Sequence, residues 1–312
     1  MTPQIPEIPV ATHHFRQRYL LAFATQAEVL QHVRTQALDE ESQRLQEILG
    51  LWTGLQQRVA DLLTREAGMA DTILIEPVPE EHKTLLEEYA SDPLFQKTFA
   101  SLPTGFGYVE LDKLVAAQRT VNLDYVDRLA DSYNKSLNER QLLDICVSPK
   151  RRMDAIQHLE IAPNTHVFSS PNSDIRFLGA FTKHLTSEDL GYAVTGGLPA
   201  AAIIAFIGYG GAPVNVLLAG KRAVLNNGFH RVYALRSLGI KKIPVVIQQV
   251  QNVQLEFPPA VAGLPKEYLL KSPRPVLIKD FFEADFAITL KVRERIKMVT
   301  VGIGLSQHEV PA

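Results

Sequence analysis

The sequence predicts a mixed α/β (α+β) protein built from three segments. Apolar residues recur at alternating steps of three and four between Thr25 and Ala67, which is typical of amphipathic helices. A strand, a glycine, a helix, a second glycine and a second strand follow one another between Lys221 and Val250. Beyond residue 251 the chain is first rich in proline and then alternates apolar and charged residues, as in a half-exposed strand. We therefore expect an N-terminal helical module and connector at 1–105, a central domain at 106–250 and a C-terminal proline-rich and β-strand extension at 251–312.

The composition is that of an ordinary globular protein. Hydrophobic residues make up 46% of the 312 residues and charged residues 21%, which is enough to bury a core. The net charge of −2 provides no general basic surface for nucleic acid. Cys146 is the only cysteine, which excludes an internal disulfide, and the N-terminus lacks the layout of a signal peptide. We therefore expect a cytoplasmic location.

The N-terminal module is predicted to be a pair of helices. Thr25 and Glu28 have the spacing of a capping box, and Asp39–Ser42 is the expected break between the helices. The apolar positions of the second helix form one seam: Leu45, Ile48, Trp52, Leu55, Val59 and Leu62. That seam fits either helices packing on their own domain or a coiled-coil contact with a second copy or a partner protein.

An uncharged stretch between Asp189 and Lys221 is long enough to cross a bilayer, but its sequence argues against a membrane span. Prolines and seven glycines interrupt it, and lipid does not tolerate irregular backbone. We expect a buried helix at 199–207, a strand at 214–218 and a hairpin turn at Ala219-Gly220.

The last third of the C-terminal extension alternates apolar and charged residues. The apolar positions are Ile288, Leu290, Val292, Ile296, Met298 and Val301. This pattern predicts a terminal β-hairpin with one face in water.

The strand-to-helix junction at Gly228, here called the elbow (Asn227–Arg231), has the composition of an anion site. A strand at 222–226 leads into Gly228, and a helix at about 229–238 ends at Gly239 before a strand at 243–250. A helix that opens on Gly-Phe-His-Arg offers backbone N–H groups, a positive dipole end and a guanidinium to a phosphate or carboxylate. The other interpretation is a purely structural turn whose arginine pairs with a local carboxylate.

Two motifs in the central segment resemble the two conserved boxes of the ParB/sulfiredoxin superfamily. The second box corresponds to Asn227–Leu235 (NGFHRVYAL), Leu238-Gly239 and Ile243–Val246 (IPVV). The first corresponds to Tyr108–Leu114 (YVELDKL), Gln118-Arg119 and Leu129–Tyr133 (LADSY). The resemblance covers residues 107–250, apart from an unmatched insert at about 149–212, and implies a ParB/sulfiredoxin-like nucleotide-binding domain.

Departures from the family pattern argue against known activities of the superfamily. Sulfiredoxins carry a nucleophilic cysteine before the His-Arg pair, where this chain has Phe229. The free serine kinases, whose elbow is the most similar, carry a glutamate base that aligns with Gln118 and an acidic residue that aligns with Asn227. A glutamine cannot accept a hydroxyl proton, so the resemblance implies binding without phosphoryl transfer unless Glu110, Asp112 or Asp124 replaces the base.

The chromosome-partition ParB proteins bind CTP at these boxes and read DNA through a following helix-turn-helix. No such pattern follows Val250, so DNA binding is the minority interpretation. No pair of His or Cys residues has metal-ligand spacing, so we expect no metal site.

We therefore expect a nucleotide-binding (phosphate-binding) regulatory or sensor protein that is non-catalytic or weakly hydrolytic. The resemblance implies ATP or CTP as the nucleotide triphosphate, with or without Mg. The expected binding residues are Asn227, Gly228, Phe229, His230, Arg231, Gln118, Arg119, Arg128 and Ser132. A protein partner or self-association through the N-terminal helices would transmit the bound state. The alternatives are an ATP- or ADP-dependent kinase of a small hydroxyl metabolite, a DNA-binding protein and a ligand-free scaffold.

Overall fold

The computed structural model of the chain describes residues 14–133, 136–148, 155–170, 175–186, 189, 199–210 and 213–309. These residues form a mixed α/β structure with several small sheets, which confirms the predicted fold class at that level. The chain divides into two compact units, a larger one from 12–150 and 211–294 and a smaller one from the described parts of 151–210 and 295–312.

Helices and strands are distributed along the whole described chain. The ten α-helices among the described residues are α1 (Gln26–Gln36), α2 (Asp39–Gln43), α3 (Leu45–Arg65), α4 (Lys83–Ser91), α5 (Pro93–Thr98), α6 (Leu123–Ser132), α7 (Glu139–Cys146), α8 (Phe229–Ser237), α9 (Val253–Glu256) and α10 (Lys266–Lys271). The fifteen strands among them are β1 (His14–Tyr19), β2 (Thr104–Glu110), β3 (Val115–Ala116), β4 (Thr120–Asn122), β5 (Gln157–Ala162), β6 (Thr165–Ser170), β7 (Ile175–His184), β8 (Ala201–Tyr209), β9 (Asn215–Ala219), β10 (Arg222–Asn227), β11 (Lys242–Val250), β12 (Ala260–Val261), β13 (Leu264–Pro265), β14 (Ile288–Arg293) and β15 (Lys297–Gly302).

The N-terminal helices belong to the core of the larger unit. The predicted capping box is confirmed, since the Thr25 side chain accepts from the Glu28 N–H at 3.2 Å and the Glu28 carboxylate accepts from the Thr25 N–H at 2.7 Å. The predicted break at Asp39–Ser42 is misplaced, because these residues form the short helix α2 and the chain leaves helical geometry at Ala37-Leu38 and at Arg44. The seam of α3 is buried at Ile48, Leu55, Val59 and Leu62, in the same cluster as residues of the central sheet. The α3 seam therefore packs within its own unit.

A five-stranded mixed sheet with the order β2-β11-β9-β10-β3 forms the centre of the larger unit. The β9–β10 pair is antiparallel, β10 is parallel to β3, and β11 is parallel to β9 and antiparallel to β2. Buried residues run continuously along β10 and β11, as expected for strands covered on both faces. The sheet joins β2 and β3 of the first box to β10 and β11 of the second, and α8 connects β10 with β11.

The predicted terminal hairpin is wrong. β14 pairs antiparallel with β1, which also pairs with β4, whereas β15 pairs with β6 in the smaller unit. The alternation of apolar and charged residues correctly indicates two strands, but it determines only which face of a strand is buried and not which strand is its neighbour.

The insert at about 149–212 supplies most strands of the smaller unit. There β6 lies between β15 and β5, and β7 pairs with β8 in a separate two-stranded sheet. The buried helix predicted at 199–207 is wrong, because Ala201–Tyr209 is a strand with Ile203 69% exposed. β-Branched and aromatic residues favour a strand, and a short apolar run cannot be distinguished from a helix by periodicity.

The hairpin predicted at Ala219-Gly220 is confirmed, with Gly220 at φ +62° between β9 and β10. None of the helices in the described ranges combines the length and apolar character that a bilayer crossing needs.

A buried ion pair anchors the C-terminal part of the larger unit. The guanidinium of Arg274 donates to both carboxylate oxygens of Asp280 at 2.8 and 2.6 Å, and both side chains are almost completely excluded from solvent. Arg274 also donates to Glu66 at 3.0 Å and to the Pro275 carbonyl at 2.7 Å, while Asp280 accepts from the Leu277 N–H at 2.7 Å. Each charged group therefore has several hydrogen-bond partners, as buried charges require.

Candidate functional site

The elbow requires glycine at position 228 for two reasons. Gly228 has φ +90°, in the left-handed region that residues with a Cβ rarely adopt. A Cβ at this position would lie 2.8 Å from Cγ2 and 3.0 Å from Cα of Val214. The strand-to-helix junction can therefore make this turn only because residue 228 has no side chain.

The first turn of α8 is not capped by any described side chain. Its N-cap residue is Gly228, and the Val232 N–H makes the first helical bond, to the Gly228 carbonyl at 3.0 Å. The Asn227 amide donates to the Pro213 carbonyl at 3.0 Å. Phe229 is only 8% exposed and packs edge-on against Phe281 in the core. The helix N-terminus thus has the positive dipole end that attracts an anion.

The His230 side chain links the second box to the start of α6, in the segment that contains the first box. Its Nε2 accepts a hydrogen bond from the Asn122 backbone N–H at 3.3 Å, at the start of α6. The ring also meets the edge of Tyr125 at 5.2 Å between centroids. Burial lowers the pKa of His230 to about 4, so the imidazole is neutral at neutral pH and its proton lies on Nδ1. His230 therefore adds no positive charge to the elbow.

Arg231 connects the elbow to the C-terminal end of α7. Its guanidinium donates to the Ile145 carbonyl at 3.0 Å, where the helix dipole favours a cation. Burial raises the pKa of the neighbouring Cys146 thiol to about 12, and the charge of Arg231 opposes this shift only in part. Cys146 is therefore a buried thiol and not a reactive thiolate.

Two of the binding residues predicted in the first box, Gln118 and Arg119, contact parts of the structure other than the elbow. Gln118 donates to the Thr120 carbonyl at 2.7 Å. Arg119 donates to Glu28 of α1 at 2.6 Å and lies over the ring of Tyr268 at 5.8 Å. The contacts of these two side chains are therefore with their own loop, with α1 and with α10, and none of them is with the elbow.

Arg128 and Ser132 lie on α6, whose packing partner is α8. Arg128 is exposed and lies 5.8 Å from the ring centre of Tyr125, the residue that contacts His230. The Ser132 hydroxyl donates to the Leu129 carbonyl at 2.7 Å at the end of α6. The fold brings this helix, and with it Asn122 and Tyr125, to the elbow. The Asn122 side chain caps α6 by accepting a hydrogen bond from the Tyr125 N–H. An asparagine directly before a helix is a capping signal that the sequence already contains.

A groove between α6 and α7 adjoins Arg231. It encloses about 310 Å³ and is lined by Ser132, Tyr133, Leu137, Gln141, Asp144 and Ile145. Asp144 accepts a hydrogen bond from the Tyr89 hydroxyl at 2.8 Å and forms an ion pair with Arg140 at 3.3 Å, which offsets its negative charge. Sequence reasoning missed the groove, apart from Ser132, because α7 lies outside both boxes.

The three carboxylates that could replace a kinase base all have cationic partners. Asp112 accepts from Arg236 at 2.6 and 3.0 Å, and Glu110 pairs with Lys113 at 3.0 Å. Burial of Asp124 raises its pKa, but hydrogen bonds from Arg16 outweigh this effect and hold the pKa below its usual value. A carboxylate stabilised in its ionised form is a poorer proton acceptor.

The site therefore consists of an uncapped helix N-terminus, a neutral histidine that bridges two boxes, and an arginine beside a groove. It contains hydrogen-bond donors for an anion, and its candidate bases are held in ion pairs. Comparison of the chain with protein-family models, curated proteins and solved structures found no match.

Proposed function

We propose that the chain is a ParB-like nucleotide-binding protein that senses its ligand rather than transferring a phosphoryl group. The observation that carries this proposal is the uncapped N-terminus of α8, which follows the left-handed Gly228 and is linked to the first box through His230 and Asn122. A helix start of this kind supplies N–H groups and positive potential to a phosphate.

The charge on the protein side would come from Arg231 and the helix dipole. Because the His230 imidazole is neutral, it can act only as a hydrogen-bonding and positioning group. The side chain of Arg231 is partly buried and has a protein carbonyl as one partner, so ligand binding would compete with that contact. The expected affinity is therefore lower than that of a pocket with several unengaged arginines.

The groove beside Arg231 would hold the nucleoside. Its polar side chains, Ser132, Gln141 and Asp144, suit the hydroxyls of a sugar or the amino group of a base. Because Arg231 and the N-terminus of α8 supply the positive potential, the ligand would be oriented with its phosphates toward α8. ATP or CTP would be the ligand, and Mg would be held through the phosphates because the elbow itself carries no carboxylate.

The other predicted functions have less support. A kinase needs a proton acceptor, and Glu110, Asp112 and Asp124 are all in ion pairs. A DNA reader after β11 would need a recognition helix, but the described helices there, α9 and α10, have four and six residues. Self-association through the N-terminal helices would have to use the exposed side of α3, where Leu51 is 47% exposed, because the seam is buried.

A ligand panel on matched arginine variants tests the proposal. Thermal unfolding is measured with ATP, ADP, CTP, GTP and inorganic phosphate, with and without Mg, for the wild type, Arg231→Gln and Arg236→Gln. Glutamine at 231 keeps a polar side chain but ends short of the guanidinium nitrogen that donates to the Ile145 carbonyl, so the ligand-free Tm of this variant is compared with that of the wild type to establish that it is folded. Arg236 is the control, since it lies on the same helix and pairs with Asp112 away from the elbow. Ligand at a hundredfold excess over its Kd stabilises the native state by about 2.7 kcal/mol.

We expect one nucleotide to raise the Tm of the wild type and of Arg236→Gln but not of Arg231→Gln. An equal shift in all three proteins would exclude the elbow as the binding site. If no ligand shifts any of the proteins, the ligand-free scaffold becomes the better hypothesis.

A further inference from the structure

Three potential metal ligands converge at the start of α7, away from the elbow residues. Glu81 and His82 lie in the 3-10 turn Glu80–His82 that precedes α4, and Glu139 is the first residue of α7. His82 is held by its backbone, whose N–H donates to the Pro79 carbonyl at 3.0 Å, and its side chain is only 13% exposed. The two carboxylates are more exposed and can therefore adjust their positions without disturbing the core.

The two distances from the histidine to the carboxylates match those between ligands of one metal ion. Nε2 of His82 lies 3.3 Å from Oε2 of Glu139 and 3.6 Å from Oε1 of Glu81, and all three ligand atoms lie within 4.8 Å of one another. A tetrahedral ion with metal–ligand bonds of about 2.0–2.2 Å separates its ligand atoms by roughly 3.3–3.6 Å.

Two buried polar atoms without hydrogen-bond partners provide a second, independent observation. Among the described residues, neither Nε2 of His82 nor the hydroxyl of Tyr108 has a hydrogen-bond partner. Tyr108 is 9% exposed, and burial, together with the charge of Glu139, raises the pKa of its hydroxyl to about 12. Buried polar groups without partners are rare in native proteins and indicate a bound water or ion.

We propose that Glu81, His82 and Glu139 bind a divalent transition-metal ion, with zinc as the best fit. One imidazole nitrogen and two carboxylate oxygens form a mixed ligand set that suits zinc, whereas magnesium and calcium prefer oxygen alone. Three protein ligands leave at least one coordination position for water.

A metal ion here would connect two parts of the larger unit that are far apart in sequence. It would fasten the turn before α4, in the connector of the N-terminal module, to the first turn of α7. Binding to the folded state alone would stabilise this junction in proportion to metal concentration. The contacts of His82 with the two carboxylates also have the distances of ordinary ion pairs, so metal binding must be measured directly.

Cobalt titration of the full chain tests the proposal. After treatment with a chelator and its removal, Co²⁺ is added to the wild type, His82→Asn, Glu139→Gln and Glu80→Gln, and visible absorption is recorded. Zn²⁺ is then added to displace the cobalt. Glu80→Gln is the matched control, because it removes one negative charge from the same turn but this side chain pairs with Lys83 outside the cluster. Thermal unfolding in chelator establishes that each variant is folded.

We expect one equivalent of Co²⁺ to saturate the wild type and the control, with absorption bands of low-coordinate cobalt that Zn²⁺ abolishes. His82→Asn and Glu139→Gln should weaken binding by at least about tenfold. The absence of saturable binding in the wild type would overturn the proposal. Equal binding in His82→Asn would also overturn it, and would direct attention to the exposed pair His158 and His166, whose ring nitrogens lie 3.1 Å apart.

Discussion

Replacement of Arg274 by methionine should destabilise the larger unit far more than the same replacement at an exposed arginine. Methionine fills most of the side-chain volume but leaves the Asp280 carboxylate, 1% exposed, without the two guanidinium bonds of 2.8 and 2.6 Å. Breaking a buried ion pair from one side costs about 3–5 kcal/mol. Because Asp280 keeps the hydrogen bond from the Leu277 N–H, we expect the lower end, about 3 kcal/mol.

The matched control is Arg58→Met. Arg58 also forms an ion pair, with Asp285 at 2.7 Å, but these side chains are 55% and 60% exposed. A pair in water contributes about 0–1 kcal/mol. The comparison therefore distinguishes the effect on stability of burying an ion pair from the effect of having an ion pair at all.

Urea unfolding followed by the fluorescence of Trp52, the only tryptophan, and by circular dichroism measures both variants. A loss of about 3 kcal/mol lowers the Tm of a domain of this size by roughly 6–12 °C. Arg274→Met/Asp280→Asn should recover part of the loss, because the amide is uncharged and its oxygen still accepts from Leu277. If the free energies of unfolding of Arg274→Met and Arg58→Met differ by less than about 1 kcal/mol, the reasoning about the buried charge is refuted.

Three further predictions concern single side chains. Histidine in the unfolded chain takes up a proton near pH 6.5, whereas His230 does so only near pH 4. Acidification between these two values should therefore lower the free energy of unfolding by up to about 3 kcal/mol. His230→Gln should make the free energy of unfolding depend less steeply on pH. Gly228→Ala should cost roughly 1–3 kcal/mol in urea unfolding from its positive φ alone, and more because its Cβ meets Val214. Tyr108→Phe, measured in chelator, should leave stability unchanged or raise it by about 1 kcal/mol, since the lost hydroxyl has no described partner.

Each of these predictions has an outcome that would contradict it. Equal pH slopes in the wild type and His230→Gln would mean that His230 is not the group held neutral. Gly220→Ala is the control for the second prediction, because Gly220 also has a positive φ but no atom within 4 Å of its would-be Cβ. An equal loss in both glycine variants would show that the contact with Val214 adds nothing. Destabilisation by Tyr108→Phe would reveal a hydrogen-bond partner for the hydroxyl.

The second box was predictable because its structure is determined locally. Gly228 and Gly239 both have positive φ and set the beginning and end of α8, so the predicted boundaries agree with the observed ones to within a residue. The strand β11 begins at Lys242, one residue before the predicted start. Backbone conformations that only glycine adopts easily leave a clear signal in the sequence.

Strand partners could not be predicted in the same way. The β1–β14 and β6–β15 pairs join residues far apart in the chain, and no local pattern specifies them. The same limit applies to the candidate sites. Gln118 was predicted to line the site, but its side chain bonds to its own loop, whereas Asn122, which was not predicted, reaches His230.

The strand β1 has a consequence for how the chain is made. Its neighbours are β4 and β14, and β14 lies close to the end of the described chain. During synthesis from the N-terminus, one edge of β1 can find its partner only after nearly the whole larger unit has left the ribosome. Such long-range closure is slow and leaves an unpaired edge exposed to other chains. Shortened chains that end before Ile288 should therefore aggregate, and chaperone dependence should end only when β14 has emerged from the ribosome.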